Sequence, residues 1–172
     1  MDTDVVQIVD GCRRRDAKAQ RALYDAMAPM VGGVCARYSR DHDESQDMVQ
    51  DVFVKIFERI GTLKQTDNLR SWVYSTAVNT AIDHCRRRVR VLSMDVIDMD
   101  VPAVETDPYV MEAILAAMRR LTPMLRTVFN MCDIEGYTLD EAAERLGSNN
   151  QAVRTALCRA RREIRKELEM RN

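Results

Sequence analysis

Glycine and proline are scarce in this sequence, at 6 and 4 of 172 residues. With so few breakers, and with Ala, Arg, Met, Leu and Glu dominating, the chain is expected to be all-α. No apolar run approaches the roughly 18 residues that a membrane span requires. The segment Met1 to Asp10 carries acids and lacks the basic and apolar regions of a signal peptide, so a cytoplasmic protein is expected. The five cysteines (Cys12, Cys35, Cys85, Cys132 and Cys158) are scattered, odd in number and form no CxxC pair. That argues against a disulfide framework or a zinc site. Cys12, Cys132 and Cys158 fall at or beside apolar helical positions and read as reduced, small core residues. The sequence pattern singles out no ligand partner for His42 or His84. No acid cluster, His/Cys set or Gly-rich phosphate loop occurs at usable spacing, so no metal, cofactor or catalytic residue is expected.

What is present is 46% hydrophobic and 31% charged residues, enough apolar material for a core in one ordinary domain or two small ones. The formal net charge is −1, but the charges are not evenly mixed. Acids gather in 43–58 and 95–107, bases in 86–90 and 154–166. Near-neutrality is therefore cancellation between patches suited to different partners.

The clearest helix spans Asp43 to Ile60. Met48, Val49, Val52, Phe53, Ile56, Phe57 and Ile60 form one apolar stripe, Asp43 with Gln46 reads as its start, and Gly61 ends it. Upstream, 4–15 and 16–40 read as helices, the second interrupted at Pro29 and Gly32-Gly33, where a kink is expected. Downstream, Asn68 to Arg88 places Leu69, Trp72, Val73, Thr76 and Ala77 on one side and ends in a basic run. Periodicity fails over 93–107, an acidic stretch containing Pro102, which reads as an extended linker. The expected domains are thus 1–92 and 108–172.

The second block opens at Asp107-Pro108, a cap followed by proline at the first helical position. Thr122-Pro123 repeats that signal and starts a helix to about Cys132; Gly136 follows it. Thr138 and Glu141 form a capping box, Leu139, Ala142, Ala143 and Leu146 face inward, and Gly147 stops the helix. A last helix runs from about Asn149 to Met170, with Val153, Leu157, Ala160, Ile164 and Leu168 inward.

Two short helices about a glycine turn fit a helix-turn-helix, whose second helix enters the major groove. Asn149, Asn150, Gln151, Arg154 and Thr155 would then meet base edges, and the later arginines phosphates. In the first block Trp72, Tyr74 and Asn79 accompany Arg86, Arg87 and Arg88, a combination suited to unpaired DNA. Trp72 serves equally well as core. Asp47, Gln50, Asp51 and Glu58 make an acidic face that suits a protein partner better than DNA; a merely solvated face is the alternative.

The motifs carry a resemblance at this point. DESQDMVQDVFVKIF resembles region 2.2 of bacterial sigma factors, NLRSWVYSTAVNTAIDHCRRR is similar to regions 2.3 and 2.4, and 121–168 resembles region 4 nearly end to end. This order without a region 3 domain is that of the extracytoplasmic-function sigma factors. The resemblance implies a non-enzymatic subunit that binds core RNA polymerase and directs it to promoters. It implies docking of Asp47, Gln50, Asp51 and Phe53 on the beta-prime clamp helices. Asn79 and Arg86 to Arg88, with Trp72, would recognise and open the minus-10 element, while the loop Gly61–Asn68, including Lys64, would capture an unstacked base. Asn149, Asn150, Gln151, Arg154, Thr155, Arg159, Arg161 and Arg162 would serve the minus-35 element. The beta flap and an anti-sigma factor are further implied partners, and the acidic linker would occupy a basic channel. Arg154-Thr155-Ala156-Leu157 departs from the family's frequent Lys-Ser-Arg-Leu, which implies a different minus-35 preference. A helix-turn-helix regulator acting alone is the competing reading.

Overall fold

The computed structural model describes residues 3–92 and 110–170, and these form helices with no strand among them. They are α1 (Thr3–Arg13), α2 (Ala17–Tyr38), α3 (His42–Arg59), α4 (Leu69–Leu92), α5 (Val110–Arg120), α6 (Pro123–Phe129), α7 (Leu139–Leu146) and α8 (Asn150–Glu169). Two 3₁₀ turns, Ile60–Thr62 and Thr66–Asn68, lie between α3 and α4, and a π-helical turn, Asn130–Ile134, follows α6. The chain divides into two compact units, Met1–Ala81 and Ile82–Asn172, with the division falling within α4. The expected linker 93–107 and the Asp107-Pro108 helix start lie outside the described residues.

In the first unit α1 packs on α2, and α2 on α3. Arg15, in the left-handed region at φ 60, turns the chain between α1 and α2. The Asp16 N–H donates to the Gly11 carbonyl at 2.9 Å and the Arg15 N–H to the Cys12 carbonyl at 3.0 Å, so the end of α1 is satisfied by a Schellman arrangement. A non-glycine residue in this conformation costs about 1–2 kcal/mol. α2 runs as one helix through Pro29, Gly32 and Gly33. Leu23 on one side and Val31, Val34, Cys35 and Tyr38 on the other are buried, and that packing outweighs the local proline penalty of about 3 kcal/mol.

The start of α3 also departs from expectation. Its N-cap is Asp41, not Asp43: the Asp41 carboxylate accepts the Glu44 N–H at 2.8 Å, and Glu44 reaches back to accept the Arg40 N–H at 2.6 Å. The expected stripe is correct, with Met48, Val52, Phe53, Ile56 and Ile60 buried.

The second unit is built around α8, which packs on α5, α6 and α7. Ala117, Met118, Leu121, Leu125, Ala160 and Ile164 form one apolar cluster. The helix expected to reach Cys132 widens at Asn130. Asn130 is fully buried, its amide donates to the Arg126 carbonyl at 3.1 Å, and the Glu135 N–H spans five residues to the Asn130 carbonyl at 2.9 Å. A buried amide and a π turn leave no trace in hydrophobic periodicity.

Candidate nucleic-acid interface

The helix-turn-helix is held by local chemistry that the sequence announced. The Thr138 hydroxyl accepts the Glu141 N–H at 3.2 Å, and the Glu141 carboxylate accepts the Thr138 N–H at 2.8 Å. The backbone N–H and hydroxyl of Thr138 hold the Glu141 carboxyl below its ordinary range. Gly147 (φ 64) ends α7, and the Ser148 N–H closes on the Ala143 carbonyl at 2.9 Å. Two residues later α8 begins, capped by the Asn149 side-chain oxygen, which accepts the Ala152 N–H at 2.8 Å. The Asn150 amide donates to Asp140 at 2.6 Å and ties the start of α8 to that of α7.

This arrangement sorts the candidate residues. Gln151, Arg154, Thr155 and Arg162 are exposed and share one side of α8 at three-, four- and seven-residue steps. Asn149 is occupied as a cap, and Asn150 is half-buried against Asp140. Arg159 pairs with Glu163 one turn on, at 3.2 Å. Arg161, seven residues after Arg154, is already engaged: its Nε and one terminal nitrogen bind both carboxylate oxygens of Asp133, the first at 2.8 Å. That hydrogen bonding raises the Arg161 pKa still further. Sequence reading missed this brace because Asp133 lies 28 residues away.

Along α4, Trp72, Asn79 and Arg86 recur at seven-residue steps and so lie along one side of the helix. Trp72 and Asn79 are half-buried; Arg86 and Arg87 are exposed. Arg87 donates to the Asp83 carbonyl at 3.4 Å, and half-buried Arg88 lies against the Cys85 sulfur at 3.5 Å. Lys64 and Asn68 are exposed in the connection between α3 and α4.

On α3, Asp47, Gln50 and Asp51 are exposed. Phe53, which the sequence placed in the apolar stripe as well as in the docking set, is only 4% exposed, because its ring packs on Tyr24 of α2 at 4.4 Å between centroids and on Phe57 at 6.0 Å. The apolar residue presented on the acidic face is Val54, 54% exposed. It sits three residues from Asp51 and four from Gln50, and its exposure amid acids is the signal that helical counting could have found.

The cysteines also differ in part from expectation. Cys12, Cys35 and Cys85 are buried, Cys132 is half-buried and Cys158 is exposed on the same side of α8 as Arg154 and Arg162. Burial pushes the Cys12 and Cys132 thiols up and Cys35 up to about 12, the opposite of a reactive thiolate.

A capped helix-turn-helix with a cationic exposed strip in one unit, and an acidic helix face in the other, fit a two-part helical DNA-binding protein. Comparison with known proteins agrees. The model of Sigma-70 region 2 matches residues 23–91, and that of Sigma-70 region 4 matches residues 111–164. RNA polymerase sigma factor SigV of Bacillus subtilis is 29% identical over 76% of this chain and 80% of its own length. RNA polymerase sigma-H factor of Pseudomonas aeruginosa is 25% identical over 95% of this chain and 93% of its own. The sigma factor RpoE from Bartonella quintana, solved with the anti-sigma factor NepR, has the same fold, with a TM-score of 0.51 and 18% identity over 87% of this chain and 96% of that one. The chain belongs to the sigma-70 family of RNA polymerase sigma factors, in its extracytoplasmic-function group. It binds core RNA polymerase and directs promoter-specific initiation, as a member of a family of initiation factors rather than enzymes. No helix among the described residues is long and apolar enough to cross a membrane.

Proposed function

We propose a division of labour in which α8 reads the minus-35 element, α4 and the loop before it engage the minus-10 element, and the acidic face of α3 docks on the polymerase clamp. The observation that carries this reading is the strip Gln151, Arg154, Thr155 and Arg162, exposed on a helix whose start is fixed by the Asn149 cap and the Asn150–Asp140 bond. Amide and guanidinium groups near a helix start suit base edges, and Arg162 further along suits phosphate. Asp47, Gln50, Asp51 and Val54 supply the docking face, with Phe53 supporting it from beneath. Lys64, Asn68, Trp72, Asn79 and Arg86 to Arg88 serve opening, Asn149 and Asn150 orient the reading helix, and Arg159 reaches phosphate from the edge of the strip.

Residues 1–92 and 108–172 form the two working parts, joined by the acidic stretch 93–107. Opening the duplex needs no catalytic residue: the unstacking cost of a few kcal/mol per step is offset by holding the exposed strand on the first part. The protein works in the cytoplasm, where its template is. An anti-sigma factor is its regulator, a reading supported by the NepR complex of the structurally similar sigma factor.

The test is transcription by purified core polymerase with the full chain. Specific transcripts, with permanganate-reactive thymines that disappear when Arg86, Arg87 and Arg88 are changed to alanine while core binding persists, support the reading. Specific duplex binding without transcripts overturns it in favour of a regulator acting alone.

A further inference from the structure

The last turn of α1 makes a contact that the assignments above leave unused. One terminal nitrogen of Arg13 donates to the Leu63 carbonyl at 2.6 Å, 50 residues away, while the other is held by the Asp10 carboxylate at 3.0 Å. We propose that Arg13 is a positioning residue for the loop Gly61–Asn68, fixing the geometry in which Lys64 and Asn68 meet an unstacked base. This inference rests on reading that loop as the base-holding one.

Leu63 is the pivot. It lies between the two 3₁₀ turns in an extended conformation (φ −67, ψ 110). Its side chain is buried at 5% exposure and its N–H donates to the Ile60 carbonyl at 3.2 Å. Arg13 takes the remaining handle, the carbonyl. With all three fixed, the chain emerges toward exposed Lys64 and Gln65 from a set position. Beyond them the Asn68 N–H donates to the Gln65 carbonyl at 3.3 Å, the Asn68 amide to the Gln65 side-chain oxygen at 3.2 Å, and the Leu69 N–H to the Thr66 carbonyl. A loop that orders only on binding loses affinity to that ordering, so the charged anchor on Leu63 matters for recognition more than for folding.

The anchor is itself well placed. α1 packs on both 3₁₀ turns. A Cβ on Gly11 would stand 2.4 Å from the Ala19 Cβ, so α1 lies hard against α2, with Val9 and Cys12 buried. The Arg13 side chain is 36% exposed, so truncating it leaves the buried contacts of α1 in place.

The experiment measures heparin-resistant open complexes formed by holoenzyme on four templates differing only at the nontemplate base that faces the loop. Arg13→Ala is expected to reduce discrimination among the four bases by about tenfold, with core binding and minus-35 duplex binding at wild-type levels. Arg13→Lys restores part of it, because an ammonium still donates to the Leu63 carbonyl without the fork that Asp10 holds. Asn68→Ala and Lys64→Ala report on the loop itself. If either of them flattens base preference and Arg13→Ala does not, the positioning role is overturned while the loop reading stands. If Arg13→Ala depresses all four templates equally and Arg13→Lys does not rescue, Arg13 only supports the fold and the proposal is again overturned. If neither loop variant changes base preference, the loop reading fails and the role proposed for Arg13 fails with it.

Discussion

The buried guanidinium of Arg126 holds the carbonyl of Met118, eight residues earlier, at 2.8 Å, and it also binds the carbonyls of Arg119 at 2.6 Å and Leu121 at 3.1 Å. α5 ends at Arg120, so two of these are carbonyls that an isolated helix leaves without partners. The negative end of the helix dipole favours a cation there. Arg126 is 2% exposed, and its place in the unit is structural rather than DNA-facing.

Replacing Arg126 with methionine therefore takes this donor from the Arg119 and Leu121 carbonyls, while the Met118 carbonyl keeps the Leu121 N–H at 3.1 Å. A loss of about 3 kcal/mol is expected in the unfolding of the second unit, followed in urea by far-UV circular dichroism. Arg126→Lys recovers little of it, because a single ammonium cannot span three carbonyls in a fixed fork.

Neighbouring residues on α3 separate docking from folding. Val54→Asp is expected to change stability by no more than about 0.5 kcal/mol while weakening core-polymerase binding in a pull-down. Phe53→Ala removes a ring packed on Tyr24 and should cost about 3–5 kcal/mol, seen as a lowered melting temperature before any binding is assayed.

Much of the fold is readable locally. The α3 stripe, the Thr138–Glu141 box, the Gly147 stop and the inward face of α8 each follow from residues within a turn or two of one another. Where two candidates compete locally, pattern does not decide: Asp41 and Asp43 both suit a cap, and the backbone extends at Asp41. Long-range choices are not readable at all. That Phe53 turns to Tyr24, that Asp133 claims Arg161 and that Arg13 finds Leu63 depends on the packing of elements distant in sequence. The candidate DNA strip was therefore visible as a set of eight residues, and the structure divides it into groups that face outward and groups already engaged.

Salt dependence distinguishes those groups. Arg162→Ala should lower the slope of log affinity against log salt by about 1, as the loss of one phosphate contact requires. Arg161→Ala should leave that slope unchanged, since its charge is already matched by Asp133. Arg154→Ala should cost about 1–3 kcal/mol, with relaxed preference at a single base pair. Equal slopes for the Arg161 and Arg162 variants would remove the distinction.

The capping box adds a pH signature. The folded-state pKa of Glu141 lies below its ordinary value of 4.5, so its contribution is fully present above that value and is lost as pH falls through the folded one. Melting of the second unit should weaken from about pH 5 downward, and Glu141→Gln should remove part of that dependence. At neutral pH Thr138→Ala should cost about 1 kcal/mol, read from the same melts.

The tight crossing at Gly11 sets α1, and with it Arg13, against the loop that precedes α4. A single added methyl at residue 11 must push against Ala19, two residues from the Arg13 that binds the Leu63 carbonyl. If Arg13 positions the loop as proposed, substitutions that never touch a nucleotide alter promoter choice in this protein.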